Sequence, residues 1–213
     1  MPIKIVFFDC DGTLTKVKSS WEYIHRKLNI WESNADEYQR LFKKGVINYS
    51  EFCRRDALLW KGLTLPEVLD IVGQIPYQEG AKETVTTLKE MGIFTVIIST
   101  GLSFVVDKVR DELGIHMSLS NELLTENGVL TGETMINVEY DSKGCWVNKI
   151  LKDTGIESSS ACAIGDGEGD RGMFEAVCLS IGFHPCSNIK PFLTHSIKNG
   201  SLTGMVDIIK DYI

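Results

Sequence analysis

Six residues near the start of the chain, Ile3 to Phe8, are apolar at every position except Lys4. Such a run predicts a strand buried on both faces. It breaks into two carboxylates, Asp9 and Asp11, with Gly12 next. From Lys16 to about Ile75 the pattern changes to helical spacing. Ser19 and Ser20 are candidate caps for a helix that begins near Trp21 and carries Tyr23, Ile24 and Leu28 on one face. Ala35 to Lys44 and Asn48 to Trp60 read as amphipathic helices, and Leu65 to Gly73 as another, opened by Thr64-Leu65-Pro66. From Glu79 onward strands and helices alternate. Ala81 to Met91 is a helix ended by Gly92, Ile93 to Ile98 a strand, and Leu102 to Leu113 a helix ended by Gly114. Ser118 to Leu124 and Val129 to Gly132 read as a strand pair around Asn127-Gly128. Ser142 to Asp153 is a helix, Ala161 to Ile164 and Cys178 to Gly182 are strands, and Leu202 to Tyr212 is a closing helix.

That alternation implies an α/β fold, a mostly parallel sheet with helices on both faces. The segment 16–75 carries several helices and no strong strand. At about 60 residues it is too long for an ordinary crossover, so it reads as a small helical unit inserted after the first strand. The expected division is a core of residues 1–15 and 76–213 and an inserted cap of 16–75. In such sheets ligands bind beyond the carboxyl ends of the strands, which directs attention to the residues after 8, 98 and 164.

Composition narrows the picture. The chain has 213 residues and is 43% hydrophobic, enough for a sizeable core. A net charge of −7 argues against a nucleic-acid partner, which wants a basic face. No apolar run approaches the roughly 20 residues of a membrane span, and the first residues do not read as a cleavable signal. None of the six cysteines stands in Cys-x-x-Cys spacing, and several lie in apolar runs, so reduced thiols and a cytoplasmic location are expected. His25, His116, His184 and His195 are scattered and read as structural or solvated.

Polar motifs follow all three strands. Period-two geometry puts Asp9 and Asp11 on one side of an extended chain. Two acids at the end of a buried strand need neutralising, and a hard divalent cation with oxygen ligands does it. Ser99-Thr100-Gly101 offers a hydroxyl and backbone amides to a phosphate, although the same residues also suit a plain helix cap. Gly165-Asp166-Gly167-Glu168-Gly169-Asp170 packs three glycines and three acids into six residues. The glycines permit a tight loop and the acids suit a hard cation, while no acid closes a calcium loop of EF-hand type.

Asp9-Cys10-Asp11-Gly12-Thr13-Leu14-Thr15 resembles the first motif of the haloacid dehalogenase superfamily of phosphohydrolases, and the loop from Gly165 to Asp170 resembles its fourth. Asp141-Ser142-Lys143-Gly144 resembles the lysine motif of the phosphoserine phosphatase branch, in preference to Lys149 further along the same helix. The likeness covers essentially the whole chain, helical insert included. It implies a Rossmann-like core with a helical cap, a Mg²⁺ cofactor and a small phosphate ester as substrate. It implies an aspartyl phosphate formed on Asp9, general acid and base work by Asp11, and charge neutralisation by Lys143. Metal residues would be Asp9, Asp11 through its backbone carbonyl, Asp166 and Asp170, the last supporting metal waters or Lys143. Ser99, Thr100 and Gly101 would hold the phosphoryl group, and Trp21 and Trp60 lie where they could wall the pocket.

The likeness thins at the substrate end. The branch carries a glutamate nine residues after the nucleophile for the substrate ammonium; here that residue is Lys18, with Glu22 one turn on as a substitute. The arginine for the substrate carboxylate falls near Arg54 and Arg55, but an ungapped match lands on Asp56. Gly169 stands where the fourth motif has asparagine. Phosphoserine is therefore one expectation among others: a sugar phosphate, a phospho-acid, a methionine-salvage intermediate, or phosphotransfer to another alcohol. Lys18 is expected to favour a second anion on the substrate. A non-catalytic Mg²⁺- or phosphate-binding module would not need Asp11. Oligomeric state is not legible.

Overall fold

The first strand, β1 (Ile5–Phe8), is buried at all four positions because it lies between parallel neighbours on both edges. The structure, a computed structural model, describes residues 2–213 apart from the side chain of Ser33; Met1, the first residue of the expected core, lies outside them. Four helices follow: α1 (Ser20–Lys27), α2 (Asp36–Lys43), α3 (Tyr49–Leu58) and α4 (Leu65–Gly73). A wide turn, Trp31–Ala35, runs directly into α2. Then come α5 (Ala81–Glu90), β2 (Phe94–Leu102), α6 (Ser103–Leu113), β3 (Met117–Glu126), β4 (Val129–Met135) and α7 (Lys143–Thr154). The chain closes with β5 (Ala161–Gly165), the short α8 (Arg171–Glu175), β6 (Leu179–Phe183), β7 (His195–Ile197) and α9 (Gly204–Lys210).

The seven strands form one sheet in the order β4-β3-β2-β1-β5-β6-β7. Every pairing is parallel except β3 with β4. Alternation along β1 sends Val6 and Phe8 into one core, with residues of α5, α6 and α9, and Ile5 and Phe7 into the other, with residues of α7 and α8. Phe7 and Phe8 are fully buried, each stabilising the fold by roughly 1.5–3 kcal/mol. The expected sheet with helices on both faces is what the chain forms.

Helices α1 and α3 each open on a capping side chain. Ser19 accepts the Glu22 N–H at 3.2 Å, and Asn48 accepts the Glu51 N–H at 2.8 Å. Inside this segment Trp21 and Trp60 stack at 5.2 Å between ring centres. His25 accepts the Trp60 indole N–H through Nδ1 at 3.0 Å, and its Nε2 lies 3.4 Å from Asp56 Oδ1. The segment is tied to the tip of the β3–β4 hairpin by backbone bonds: the Leu65 N–H to the Gly128 carbonyl at 2.8 Å, and the Leu130 N–H to the Leu63 carbonyl at 2.8 Å.

Three features differ from the sequence expectation. β2 continues through Ser99-Thr100-Gly101 to Leu102, with its register on β3 shifting between Ile98 and Leu102. Those three residues are therefore the irregular end of a strand and not a loop. β7 was not expected, because three residues including His195 and Ser196 carry no readable period. α8, five residues long, is likewise too short for a periodic signal.

Candidate active site

Parallel strands end together, so the tips of β1 and β5 deliver their next residues to one place. Asp9 follows β1, and its N–H donates to the Ile164 carbonyl at 2.8 Å. Asp166 follows β5. Lys143, the first residue of α7, is 2% exposed, and its Nζ donates to Asp9 Oδ1 and to Asp170 Oδ1, both at 2.6 Å. The other oxygen of Asp170 accepts the N–H groups of Asp166 and Gly167 at 3.0 Å each. Lys18 Nζ lies 2.5 Å from Asp166 Oδ2. One carboxylate oxygen each from Asp9, Asp166 and Asp170 lies within 4.8 Å of the other two.

Three acids this close share a problem that two ammonium groups do not solve. Burial, then repulsion from Asp170, holds the Asp9 carboxyl well above its usual range in spite of Lys143. Burial and Asp170 push Asp166 up to about 6, against the pull of Lys18. Burial also disfavours the Lys143 ammonium, but Asp170 and Asp9 outweigh it and keep the lysine above its ordinary range. Oxygen donors carrying uncompensated negative charge suit a hard divalent cation, and the Asp9, Asp166 and Asp170 carboxylates fit one.

Asp11 is held differently. Its Oδ2 accepts the Ser20 N–H at the start of α1 at 2.6 Å, while Oδ1 is buried and has no hydrogen-bond partner among the described residues. Burial raises its pKa, and the Ser20 bonds offset part of that. Two glycines make room. A Cβ on Gly12, whose φ is +87°, would sit 2.6 Å from Asp166 Oδ2. A Cβ on Gly101 would meet Ser20 Oγ at 2.9 Å, Ser99 Oγ at 3.1 Å and Asp11 Oδ2 at 3.2 Å. Ser99 is 1% exposed and accepts the Gly101 N–H at 3.0 Å. The Thr100 carbonyl collects donors from three directions: Tyr49 Oη at 2.5 Å, Asn121 Nδ2 at 3.1 Å and Trp21 Nε1 at 3.4 Å.

These groups open into a cleft of about 780 Å³ between the sheet and the helical segment. Residues 6–175 match the model of the haloacid dehalogenase-like hydrolases. The chain belongs to that family. It is 32% identical over 211 residues to the phosphoserine phosphatase of Archaeoglobus fulgidus, covering 97% of this chain and 60% of the relative. It is 31% identical over 181 residues to that of Methanocaldococcus jannaschii, covering 84% and 85%. A solved phosphoserine phosphatase described as a phospho-aspartyl intermediate analogue superposes with a TM-score of 0.86 at 28% identity, covering 98% of this chain and 99% of that one. Like these relatives, this member of the family is a phosphoserine phosphatase-like hydrolase.

Most residues that the family resemblance singled out meet in the cleft. Asp9, Asp11, Lys18, Glu22, Thr100, Gly101, Lys143, Asp166 and Asp170 all line it. Lys149 does not belong to the site; its ammonium lies 4.8 Å from the ring centre of Trp146 on the exposed side of α7. Ser99 does not line the cleft; the residue is 1% exposed, with its hydroxyl on the Gly101 N–H. One expectation is corrected. Arg55, expected near the substrate carboxylate, donates to Glu51 at 2.7 Å and lies over the Tyr38 ring, away from the cleft. The reason is helical phase: on α3 the cleft is met by Tyr49 and Phe52, and position 55 falls on another face. Its neighbour Asp56 is turned inward onto His25. Asp11 was expected to serve a metal through its backbone carbonyl, and its carboxylate, held by the start of α1, lies outside the acid triad.

The sequence did not announce Asn121, whose side chain bonds the Thr100 and Val138 carbonyls and accepts the N–H groups of Asn137 and Val138 at 2.8 Å each. Nor did it announce Lys43, Phe42 and Tyr140, which also line the cleft. No local pattern marks them, although Tyr140 directly precedes the Asp141–Gly144 motif. No helix of the described residues is long and apolar enough to cross a membrane.

Proposed function

We propose that this chain hydrolyses a small phosphate monoester through an aspartyl phosphate on Asp9, with Mg²⁺ as the cation, and that residues 16–75 act as a cap over the reaction. The observation carrying the reading is the buried Lys143 ammonium at 2.6 Å from both Asp9 and Asp170, beside Asp166. Phosphoryl transfer asks mainly for positioning and charge neutralisation, and these groups supply both. An Asp9 carboxylate oxygen attacks phosphorus in line with the ester oxygen, which leaves with its electron pair. Asp11 Oδ1, free of protein partners, gives that oxygen a proton, while Oδ2 stays on the Ser20 N–H. Asp11 then takes a proton from water as the water opens the aspartyl phosphate, releasing inorganic phosphate and restoring Asp9. Lys143 and the Ser99–Gly101 strand end hold the phosphoryl oxygens. Bound at Asp9, Asp166 and Asp170, Mg²⁺ would supply neutralisation of the phosphate charge.

Phosphoserine enters as a substrate on the strength of the relatives, which carry that name, one solved relative being described as a substrate-bound complex. The six cysteines, all free thiols, support a reducing compartment such as the cytoplasm. The test is release of phosphate from 4-nitrophenyl phosphate and phosphoserine with Mg²⁺ and with EDTA. Turnover that survives exhaustive chelation contradicts the metal part of the reading, and no turnover on any ester contradicts the whole.

Asp11→Asn is expected to lower kcat on an alkyl phosphate by 10²-fold or more, about the range of general acid–base catalysis. The loss is smaller on 4-nitrophenyl phosphate, whose leaving group needs no proton. Equal rates of wild type and variant on the alkyl ester would remove the role.

The metal site carries a pH signature. Asp166 titrates near 6 when folded, against 3.8 for a free aspartate. A raised acid binds more protons folded than unfolded, so its contribution to stability is greatest below about 4 and falls as the pH rises through 6. A cation binds the ionised form and reverses that loss. Added Mg²⁺ is therefore expected to raise Tm more at about pH 7.5 than at about pH 5. Equal shifts at the two pH values, read by differential scanning fluorimetry, would show that the triad does not hold it.

A further inference from the structure

Part of the cleft lining is aromatic and cationic. Trp21, Phe42, Tyr49, Phe52 and Tyr140 line it, brought together by four different stretches of chain. Phe42 anchors the group, stacking on Phe52 at 5.4 Å, tilted against Tyr49 at 5.6 Å and meeting Tyr140 edge-on at 5.2 Å. Next to Phe42 on α2 is Lys43, which also lines the cleft. Its recorded partner is the neutral Gln39 carbonyl at 3.5 Å, and among the described residues no carboxylate pairs with it. Among the other charges lining the cleft, Lys18 is on Asp166 and Glu22 is on Arg26 at 2.8 Å, while Glu168 accepts from the neutral Asn188 amide.

This lining is a poor match for a small zwitterion. The volume, about 780 Å³, falls in the range that buries a ligand much larger than a three-carbon amino acid. Aromatic walls reward a flat apolar body, and an unpaired lysine rewards a second anion. We infer that the alcohol portion of the substrate carries a planar apolar body seated against Phe42 and Tyr140 and a carboxylate or similar anion received by Lys43. This rests on the phosphomonoesterase reading above and names the substrate class for that same cleft. Lys43 is then a specificity-determining residue, contributed by the helical segment and remote in sequence from every motif of the reaction.

Benzyl alcohols are close to alkyl alcohols as leaving groups, so benzyl esters probe binding without the advantage of an activated phenol. The experiment compares kcat/KM for 4-carboxybenzyl phosphate, benzyl phosphate, ethyl phosphate and phosphoserine, with Mg²⁺, in wild type, Lys43→Ala and Phe42→Ala. The expected order places 4-carboxybenzyl phosphate at least about tenfold above phosphoserine, and benzyl phosphate above ethyl phosphate. Lys43→Ala is expected to lower the carboxybenzyl-to-benzyl ratio at least about tenfold, and Phe42→Ala the benzyl-to-ethyl ratio. Ratios within one variant cancel any loss of folded enzyme. Phosphoserine hydrolysed as well as or better than 4-carboxybenzyl phosphate overturns the inference and leaves the phosphatase reading intact. So does a carboxybenzyl-to-benzyl ratio untouched in Lys43→Ala. No turnover of any ester, 4-nitrophenyl phosphate included, overturns the phosphatase reading and the inference with it.

Discussion

Asp9→Asn is expected to remove turnover, by roughly 10⁴-fold or more in kcat, the scale on which loss of a covalent nucleophile is felt. An amide of the same size cannot attack phosphorus. The fold is expected to survive, and the physical reason is specific to this site. The Asp9 carboxylate is 6% exposed, and burial and Asp170 together disfavour its charged form. Neutralising it relieves repulsion in the acid triad, and Lys143 keeps Asp170 as its partner. The metal-free variant should therefore melt at or above the wild-type temperature. Steady-state rates on 4-nitrophenyl phosphate and a melting curve check both halves. Residual activity within tenfold of wild type would put the nucleophile elsewhere.

Lys143→Ala is expected to be less damaging to activity than Asp9→Asn and far worse for the fold. An electrostatic stabiliser aimed at the transferring group is worth about 3–4 kcal/mol of barrier, or 10²- to 10³-fold in rate. Removing the lysine also strands two buried carboxylates, which typically costs about 3–5 kcal/mol of stability. Excess Mg²⁺ should recover part of the melting temperature and little of the rate, because a cation at the triad restores charge balance without restoring the ammonium at Asp9. Lys143→Arg is not a rescue, since a planar guanidinium cannot occupy a socket shaped for a point charge between Asp9 and Asp170. Lys149→Ala serves as the control. That side chain is exposed over the Trp146 ring, and its loss should change kcat by less than about twofold. A damaging Lys149 variant with a benign Lys143 variant would move the phosphoryl-binding lysine by nearly two helical turns.

The groups proposed to carry the reaction were legible in the chain as a future cluster because each stands next to a strong local signal. Asp9 and Asp11 end a strand whose apolar run is unmistakable, Asp166 and Asp170 sit in a loop of alternating glycines and acids, and Lys143 opens a helix. A parallel sheet gathers strand ends at one edge, so placing the strands was enough to predict that these residues meet. The cap Ser19 was legible for the same local reason, a side-chain oxygen within three residues of the amide it satisfies.

The substrate end was not legible, because it is assembled across the chain and not along it. Arg55 was expected in the pocket from its place in the chain, but α3 presents Tyr49 and Phe52 to the cleft, and the arginine is spent on Glu51. Lys18 was expected to face a substrate anion, yet it reaches Asp166, 148 positions away. Asn121 joins Thr100 to the turn before α7 through bonds to residues 16 to 21 positions distant. By itself the sequence determined the α/β alternation, the strand-end acids and the helix caps, since each follows from neighbours a few residues apart. Only the tertiary structure decided which cations stay free, which aromatics face the cleft, and that Asp11 is gripped by the start of α1. Those depend on helical phase and on packing between segments that share no local pattern.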